Sequence, residues 1–317
     1  MEKIYDVLIL GSGPAGLTAG IYSVRAGLLT LLISGSSPGG QLTQTTLVEN
    51  FPGFTDGVMG PVLMDNMRKQ ALKLGVSEIT GIVERIDFSQ KPFRVWAGEE
   101  EYQGKSVIIA TGTETKWLEI PSEAKFIGHG VSSCATCDGF FFKDKKIVVV
   151  GGGDTAFEEA IFLTKFASSV TIIHRRDKFR ASNIMQERAK ANPKISFVLN
   201  SVVDEILGAE KVIGIKTKNT ISGEITEIQT DGVFVAIGHI PQTEIFKEAI
   251  ERDEKGYIKI GHTANGTRHT LYKMMTSVPG VFAAGDVHDH IYKQAITAAG
   301  FGCMAALEAE KWLSEQK

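Results

Sequence analysis

The chain has 317 residues, of which 43% are hydrophobic and 22% charged, with a formal net charge of −3. This length suggests about two domains of roughly 100–200 residues each, the lack of a basic stripe argues against nucleic acid as a partner, and no apolar run approaches the roughly 18 residues that cross a membrane. Three cysteines are too few for a disulfide scaffold, and the N-terminus runs straight into a strand at Lys3–Leu10 with no apolar leader, so the protein is read as cytoplasmic.

Ile4–Leu10 is a short apolar strand, Pro14–Ala26 a helix with proline near its first turn, and Leu28–Ile33 a second apolar strand. Between the first two lies Gly11-Ser12-Gly13-Pro14-Ala15-Gly16, a G-x-G-x-x-G turn. In such a turn the first glycine allows the tight bend, the second lets a pyrophosphate approach the backbone, and the third lets helix pack on strand. The helix N-terminus then faces the phosphate charge. The acidic residue that would take ribose hydroxyls after the second strand is missing. Ser34-Gly35-Ser36-Ser37 stands there instead. That argues against a plain NAD site and favours FAD, which has many other contacts.

Further along, Met59–Leu74 has the spacing of an amphipathic helix. Ile79–Phe88 and Phe93–Trp96 read as antiparallel strands, and Ser106–Thr111 as a buried strand closing on Gly112. Next comes Ser133-Cys134-Ala135-Thr136-Cys137-Asp138-Gly139, a Cys-x-x-Cys pair followed at once by a carboxylate. Such a pair opens and closes readily, because the motif lowers one thiol pKa. Half of a zinc site is the alternative, but zinc takes about four ligands and neither a second Cys-x-x-Cys nor a His pair at finger spacing is present. Asp138 would repel a neighbouring thiolate, so it is read as a proton donor to the leaving thiolate once burial raises its pKa. A helix cap is the plainer alternative. Cys303 reads as a small packed helix residue.

The strand–turn–helix grammar then starts again. Lys146–Val150, Asp154–Phe166 and Val170–Ile173 surround Gly151-Gly152-Gly153-Asp154-Thr155-Ala156, a G-x-G-x-x-A turn. After the second strand of this copy come His174-Arg175-Arg176, with Lys178 and Arg180, and no acid. Guanidinium groups bind a phosphate dianion bidentately, so the cluster points to the 2′-phosphate of NADPH. A solvated basic turn is the alternative. Gly232–Ile237 closes this copy on Gly238, as Ser106–Thr111 closes the first on Gly112. The tail holds only Val281-Phe-Ala-Ala-Gly-Asp286 and a helix from about Tyr292 to Trp312, too little for a third copy. It is read as returning to complete the first unit. The expected fold class is therefore α/β, with two Rossmann-like dinucleotide-binding domains, the second inserted into the first.

Taken together, these motifs resemble the low-molecular-weight, bacterial-type thioredoxin reductases over nearly the whole chain. The resemblance rests on the two glycine turns, Gly39-Gly-Gln-Leu42, Val48-Glu-Asn50 with Pro52-Gly53, Cys134 to Phe141, His174-Arg-Arg176 with Arg180, and Gly285-Asp286 followed by His290 to Ala295. It implies an FAD domain in residues 1–113 and 246–317, an NADPH domain carrying the cysteine pair in residues 114–245, and a homodimer. The expected flavin contacts are Gly11, Ser12, Gly13, Pro14, Ala15, Ser34, Gly35, Gly39, Gly40, Gln41, Leu42, Asn50, Val83, Ala110, Thr111, Gly112, Gly285, Asp286, Gln294, Ala295 and Ile296. Those expected for NADPH are Gly151, Gly153, Asp154, Thr155, His174, Arg175, Arg176, Arg180, Ile237 and Gly238. Cys137 would face the flavin, Cys134 attack thioredoxin, and Asp138 act as the acid–base residue, with Phe140 and Phe141 touching the partner. The dithiol and the second glycine turn lie in the same inserted unit and cannot both sit against the flavin at once, so that unit is expected to rotate, hinged near Thr113–Lys116 and Ile240–Ile245, as in the family it resembles. Two departures stand out: His129 where an arginine is common before Gly130, and a long segment at Thr263–Thr276. A flavin-dependent dithiol oxidase and a ferredoxin-linked reductase are rivals on the same fold, though neither needs the basic cluster. A non-catalytic NADPH or redox sensor is the rival of another class.

Overall fold

The computed structural model of the protein describes residues 3–262 and 271–316. It divides into two compact units, Met1–Glu114 with Ile240–Lys317, and Thr115–His239. Of the long segment singled out in the sequence, residues 263–270 lie outside the described residues.

In the first unit β1 (Ile4–Leu10) leads through the glycine turn into α1 (Pro14–Arg25) and then β2 (Thr30–Ile33). After α2 (Gly60–Lys73) come β3 (Ser77–Ile79), β4 (Val83–Asp87), β5 (Phe93–Ala97) and β6 (Glu100–Ile109). The strands are ordered β3-β2-β1-β6-β5-β4. β1 pairs in parallel with β2 and β6, and β2 with β3. Val7, Leu8, Ile9 and Leu10 are at most 1% exposed, and full burial of such side chains stabilises by roughly 1.5–3 kcal/mol each.

The expected strand Ile79–Phe88 is two strands, not one. Ile79 ends β3, which runs parallel to β2, whereas β4 runs antiparallel to β5. The chain changes direction between them at Gly81, which bridges to Gly35. β6 starts six residues before the expected Ser106, at Glu100. Its front half pairs antiparallel with β5 and its apolar back half pairs in parallel with the C-terminal strand Val281–Ala283. A polar front and an apolar back are what that change of neighbour demands. The last helix, Ala295–Ser314, crosses α1 closely: a Cβ on Gly302 would fall 2.1 Å from the Ala15 carbonyl oxygen. The tail thus belongs with the first unit. So does Ile240–Ile245, which the resemblance places in the inserted domain. There Gln242 N–H donates to Gly112 O at 3.0 Å and Thr111 Oγ1 to Gln242 O at 2.7 Å.

The second unit holds β7 (Val131–Ser132), α3 (Ala135–Asp138), β8 (Lys146–Val150), α4 (Asp154–Leu163), β9 (Ser169–Ile173) and β10 (Ile195–Val198). A three-stranded antiparallel meander follows as β11 (Ser201–Gly208), β12 (Val212–Asn219) and β13 (Ile225–Gln229), and then β14 (Gly232–Val235). The parallel sheet is ordered β7-β14-β8-β9-β10. Continuous apolar strands such as Lys146–Val150 are what a sheet covered on both faces requires. Each unit therefore carries its glycine turn at the C-terminal end of a central strand, which is where open α/β sheets bind ligands.

Candidate active site

At the first turn Gly11 has φ +111°, and a Cβ there would sit 2.2 Å from Ala110 O. A Cβ on Gly16 would sit 1.9 Å from Gly11 O. No side chain fits at either position. Gly13 differs, since an added Cβ would meet nothing within 4 Å, so its face is open at the start of α1. Ser12 ties three segments together. Its hydroxyl donates to Ser34 O at 2.8 Å and accepts from Gly39 N–H at 2.9 Å. That draws the Gly40–Gln44 turn over Gly13, with a Gly40 Cβ position 3.4 Å from Gly13 Cα. Ser34 itself is buried, its hydroxyl turned to Gly35 O at 3.2 Å. Gln41 Nε2 donates to Thr113 O.

On the other side Gly285, at φ +80°, brings its would-be Cβ within 2.9 Å of Ala15 Cβ, so the Asp286 segment lies against the start of α1. Asp286 makes no hydrogen bond among the described residues, and burial, then the Asp289 charge, push its carboxyl up to about 6. Asn50 Nδ2 donates to Gln294 Oε1 at 3.3 Å, and Gln294 caps the last helix. The structure thus gathers Gly11–Ala15, Ser34, Gly39, Gly40, Ala110 and Gly285 about one turn, and pairs Asn50 with Gln294. Val83 packs instead into the core cluster with Phe93 and Val95, and Ile296 is exposed.

The second turn repeats the plan. A Cβ on Gly151 would meet Ala236 O at 2.5 Å and the Ala156 methyl at 2.6 Å, while Gly153 is open. The segment after β9 folds back on it: Arg180 N–H and Ala181 N–H donate to Gly152 O at 2.7 and 3.0 Å, and Ser182 N–H to Asp154 Oδ1 at 2.7 Å. Thr155 is exposed, and Gly238, at φ +111°, follows Ile237 beyond β14. Within the basic run His174 differs from its neighbours. It is buried against Phe179 at 5.3 Å between ring centroids, its Nε2 is 3.1 Å from Lys178 O, and its ring fills the space of a Gly152 side chain. Burial lowers its pKa, helped by the Arg180, Arg175 and Arg176 charges and opposed by the Lys178 carbonyl. The exposed cations are Arg175, Arg176, Lys178 and Arg180.

Cys134 and Cys137 form a disulfide, with Cys134 in the N-cap position of α3. Cys137 is exposed and Cys134 half-buried. Asp138 stands at the N-cap position of the 3-10 turn Gly139–Phe142 but makes no side-chain capping bond there: its carboxylate accepts a hydrogen bond from Ser132 Oγ, and that hydroxyl oxygen accepts Cys134 N–H at 3.0 Å. Burial raises the Asp138 pKa, and the Ser132 hydrogen bond opposes the rise. Ser132 is the residue that the sequence reading missed. It lies outside the Cys-x-x-Cys motif, and only its place at the end of β7 brings it to Asp138. His129 sits in a turn between Gly128 and Gly130, both at positive φ. Cys303 is a free thiol, half-buried. Among the described residues no cluster of His, Cys, Asp and Glu is arranged to hold a metal ion.

Residues 5–302 match the family model of pyridine nucleotide-disulphide oxidoreductases. The chain is 55% identical to a thioredoxin reductase of Rickettsia felis, over 99% of this chain and 100% of the relative. Among solved structures it is similar to a thioredoxin reductase from Streptococcus pyogenes (41% identity, TM-score 0.91). It is likewise similar to one from Giardia duodenalis (42% identity, TM-score 0.93). Each of the two covers 99% of this chain and matches along 100% of its own.

Proposed function

We propose that this chain, which belongs to the pyridine nucleotide-disulphide oxidoreductase family, uses FAD and NADPH to reduce the disulfide of thioredoxin through Cys134 and Cys137. The observation that carries the proposal is the coexistence of a formed Cys134–Cys137 disulfide, a half-buried carboxyl next to it, and two open glycine turns.

The residues present fit the cofactors. Gly13 and Gly153 leave room for a pyrophosphate against a helix N-terminus, where backbone N–H groups and the helix dipole favour negative charge. Asp286, half-buried and with no side-chain hydrogen bond among the described residues, suits a ribityl hydroxyl. Arg175 and Arg176, with Arg180, suit a 2′-phosphate. Bound, the flavin would take two electrons from NADPH as hydride and hand them to the disulfide.

The chain's own work is sulfur and proton chemistry. Reduction frees two thiols. The Cys134 thiolate attacks one sulfur of the thioredoxin disulfide, forming a mixed disulfide and expelling a thiolate on the partner. The Cys137 thiolate then attacks Cys134 Sγ, which restores the internal disulfide and releases reduced thioredoxin. In sum one NADPH and one proton convert one disulfide to two thiols. Asp138, whose pKa partial burial raises against the lowering Ser132 hydrogen bond, is the group placed to hold the proton delivered to a leaving thiolate. Ser132 fixes that carboxyl relative to Cys134. The order of attack by the two sulfurs and a homodimer rest on the resemblance. The test is substitution of the sulfurs. Cys134→Ser and Cys137→Ser are each expected to keep the flavin and its reduction by NADPH, and to lose thioredoxin turnover. Thioredoxin reduction by either variant at half the wild-type rate would contradict the proposal.

A further inference from the structure

Just beyond the dithiol, large apolar rings face solvent: Phe140 is 63% exposed and Phe141 47%. They are not isolated. Phe141 meets Phe140 edge-on at 6.4 Å between centroids, Phe140 meets Phe166 at 6.1 Å, and Phe166 meets Phe162 at 5.6 Å. The Lys165 ammonium lies 4.8 Å from the Phe162 ring. The backbone closes the same contact, since Asp144 N–H donates to Phe166 O at 3.0 Å. Gly139 seats the end of α4 directly against the turn after Asp138: a Cβ there would fall 2.9 Å from Leu163 Cδ2 and 3.4 Å from Phe166 Cδ2. Phe140 thus faces solvent in contact with a residue distant in sequence.

We propose that Phe166, backed by Phe162 and Lys165, props Phe140 outward and extends the surface on which thioredoxin docks from the dithiol onto the end of α4. The inference rests on the function proposed above. The occupant follows from continuity. A protein that brings its disulfide to this cysteine pair must cover the surface around it, and about 800 Å² per side corresponds to a disc of roughly 16 Å radius. That disc takes in the aromatic run, which is the kind of rigid ring surface on which binding energy concentrates. Phe166 is a positioning residue, acting through Phe140.

The test uses the flavin-loaded enzyme, NADPH and thioredoxin. An edge-on ring pair contributes about three- to tenfold in affinity. Phe166→Ala is therefore expected to raise KM for thioredoxin by about that factor, with kcat within about twofold. Phe166→Tyr keeps the ring and should keep KM. In a Phe140→Ala background, Phe166→Ala should add little, because its effect passes through Phe140. Should Phe166→Ala fail to fold with flavin, Phe166→Leu removes the ring at similar volume and carries the same expectation. An unchanged KM, or an equal loss with and without Phe140, would overturn the proposal. A Phe140→Ala change in sedimentation without a change in KM would also overturn it, assigning the face to a second copy of the chain. If the wild type itself fails to reduce thioredoxin, the functional reading falls; if it succeeds while Phe166→Ala matches it, only this inference does.

Discussion

The two glycine turns are built alike and chemically opposed. Each caps a central parallel strand, bars side chains at its first glycine and leaves its second glycine open. In each, the segment after the neighbouring strand folds back over the turn. In the first unit that segment is neutral, knotted by Ser12 to Ser34 and Gly39. In the second it is cationic, pinned by Arg180 and Ala181 N–H to Gly152 O, with His174 wedged beneath. On the function proposed above, the helix start offers the same phosphate seat twice, and the strap over it would decide which nucleotide is held.

The largest break in that comparison should come from the third position of each turn. Gly16→Ala places a methyl 1.9 Å from Gly11 O, backbone against backbone, so bound flavin is expected to be lost altogether, read as visible absorbance of the purified protein. Ala156 occupies the matching place in the second turn. Ala156→Gly should leave flavin intact and change KM for NADPH by less than about threefold.

A smaller effect isolates the straps. Removing a charged hydrogen-bonding partner costs about 1.5–3 kcal/mol. Arg175→Ala with Arg176→Ala is thus expected to raise KM for NADPH by roughly 10- to 100-fold and leave NADH kinetics nearly unchanged. Equal losses with both nucleotides would show that the cations do not read the 2′-phosphate.

The smallest expected effect is on stability and separates the units by pH. Asp286 in the first unit has its pKa raised to about 6, above the unfolded value near ~4. The folded, flavin-free protein therefore holds that proton more tightly than the unfolded chain, and its stability falls as pH rises from 4 through 6. Asp286→Asn should raise the urea midpoint at pH 8 and give no gain at pH 4. A gain of the same size at both would mean that ionisation is not the cause.

Much of this site was legible because glycine turns and a Cys-x-x-Cys pair are local. Gly11, Gly151 and the cysteines act through backbone space and short spacing, which sequence records directly. The split of Ile79–Phe88 was not, since an apolar run does not say that its two halves will find different neighbours, one parallel and one antiparallel. The inward turn of His174 was not legible, because a run of basic residues conceals which member is buried. Ser132 was missed because its contact with Asp138 exists only once β7 joins the sheet. The support of Phe140 by Phe166 was hidden for the same reason.

The most direct test of the central claim is an anaerobic titration of the purified, flavin-loaded protein with NADPH, followed by optical spectrum and thiol count. One equivalent is expected to yield two new thiols that Cys137→Ser does not yield, and added oxidised thioredoxin should consume them. Bleaching of the flavin with no new thiols, or thiols that thioredoxin leaves untouched, would contradict the account.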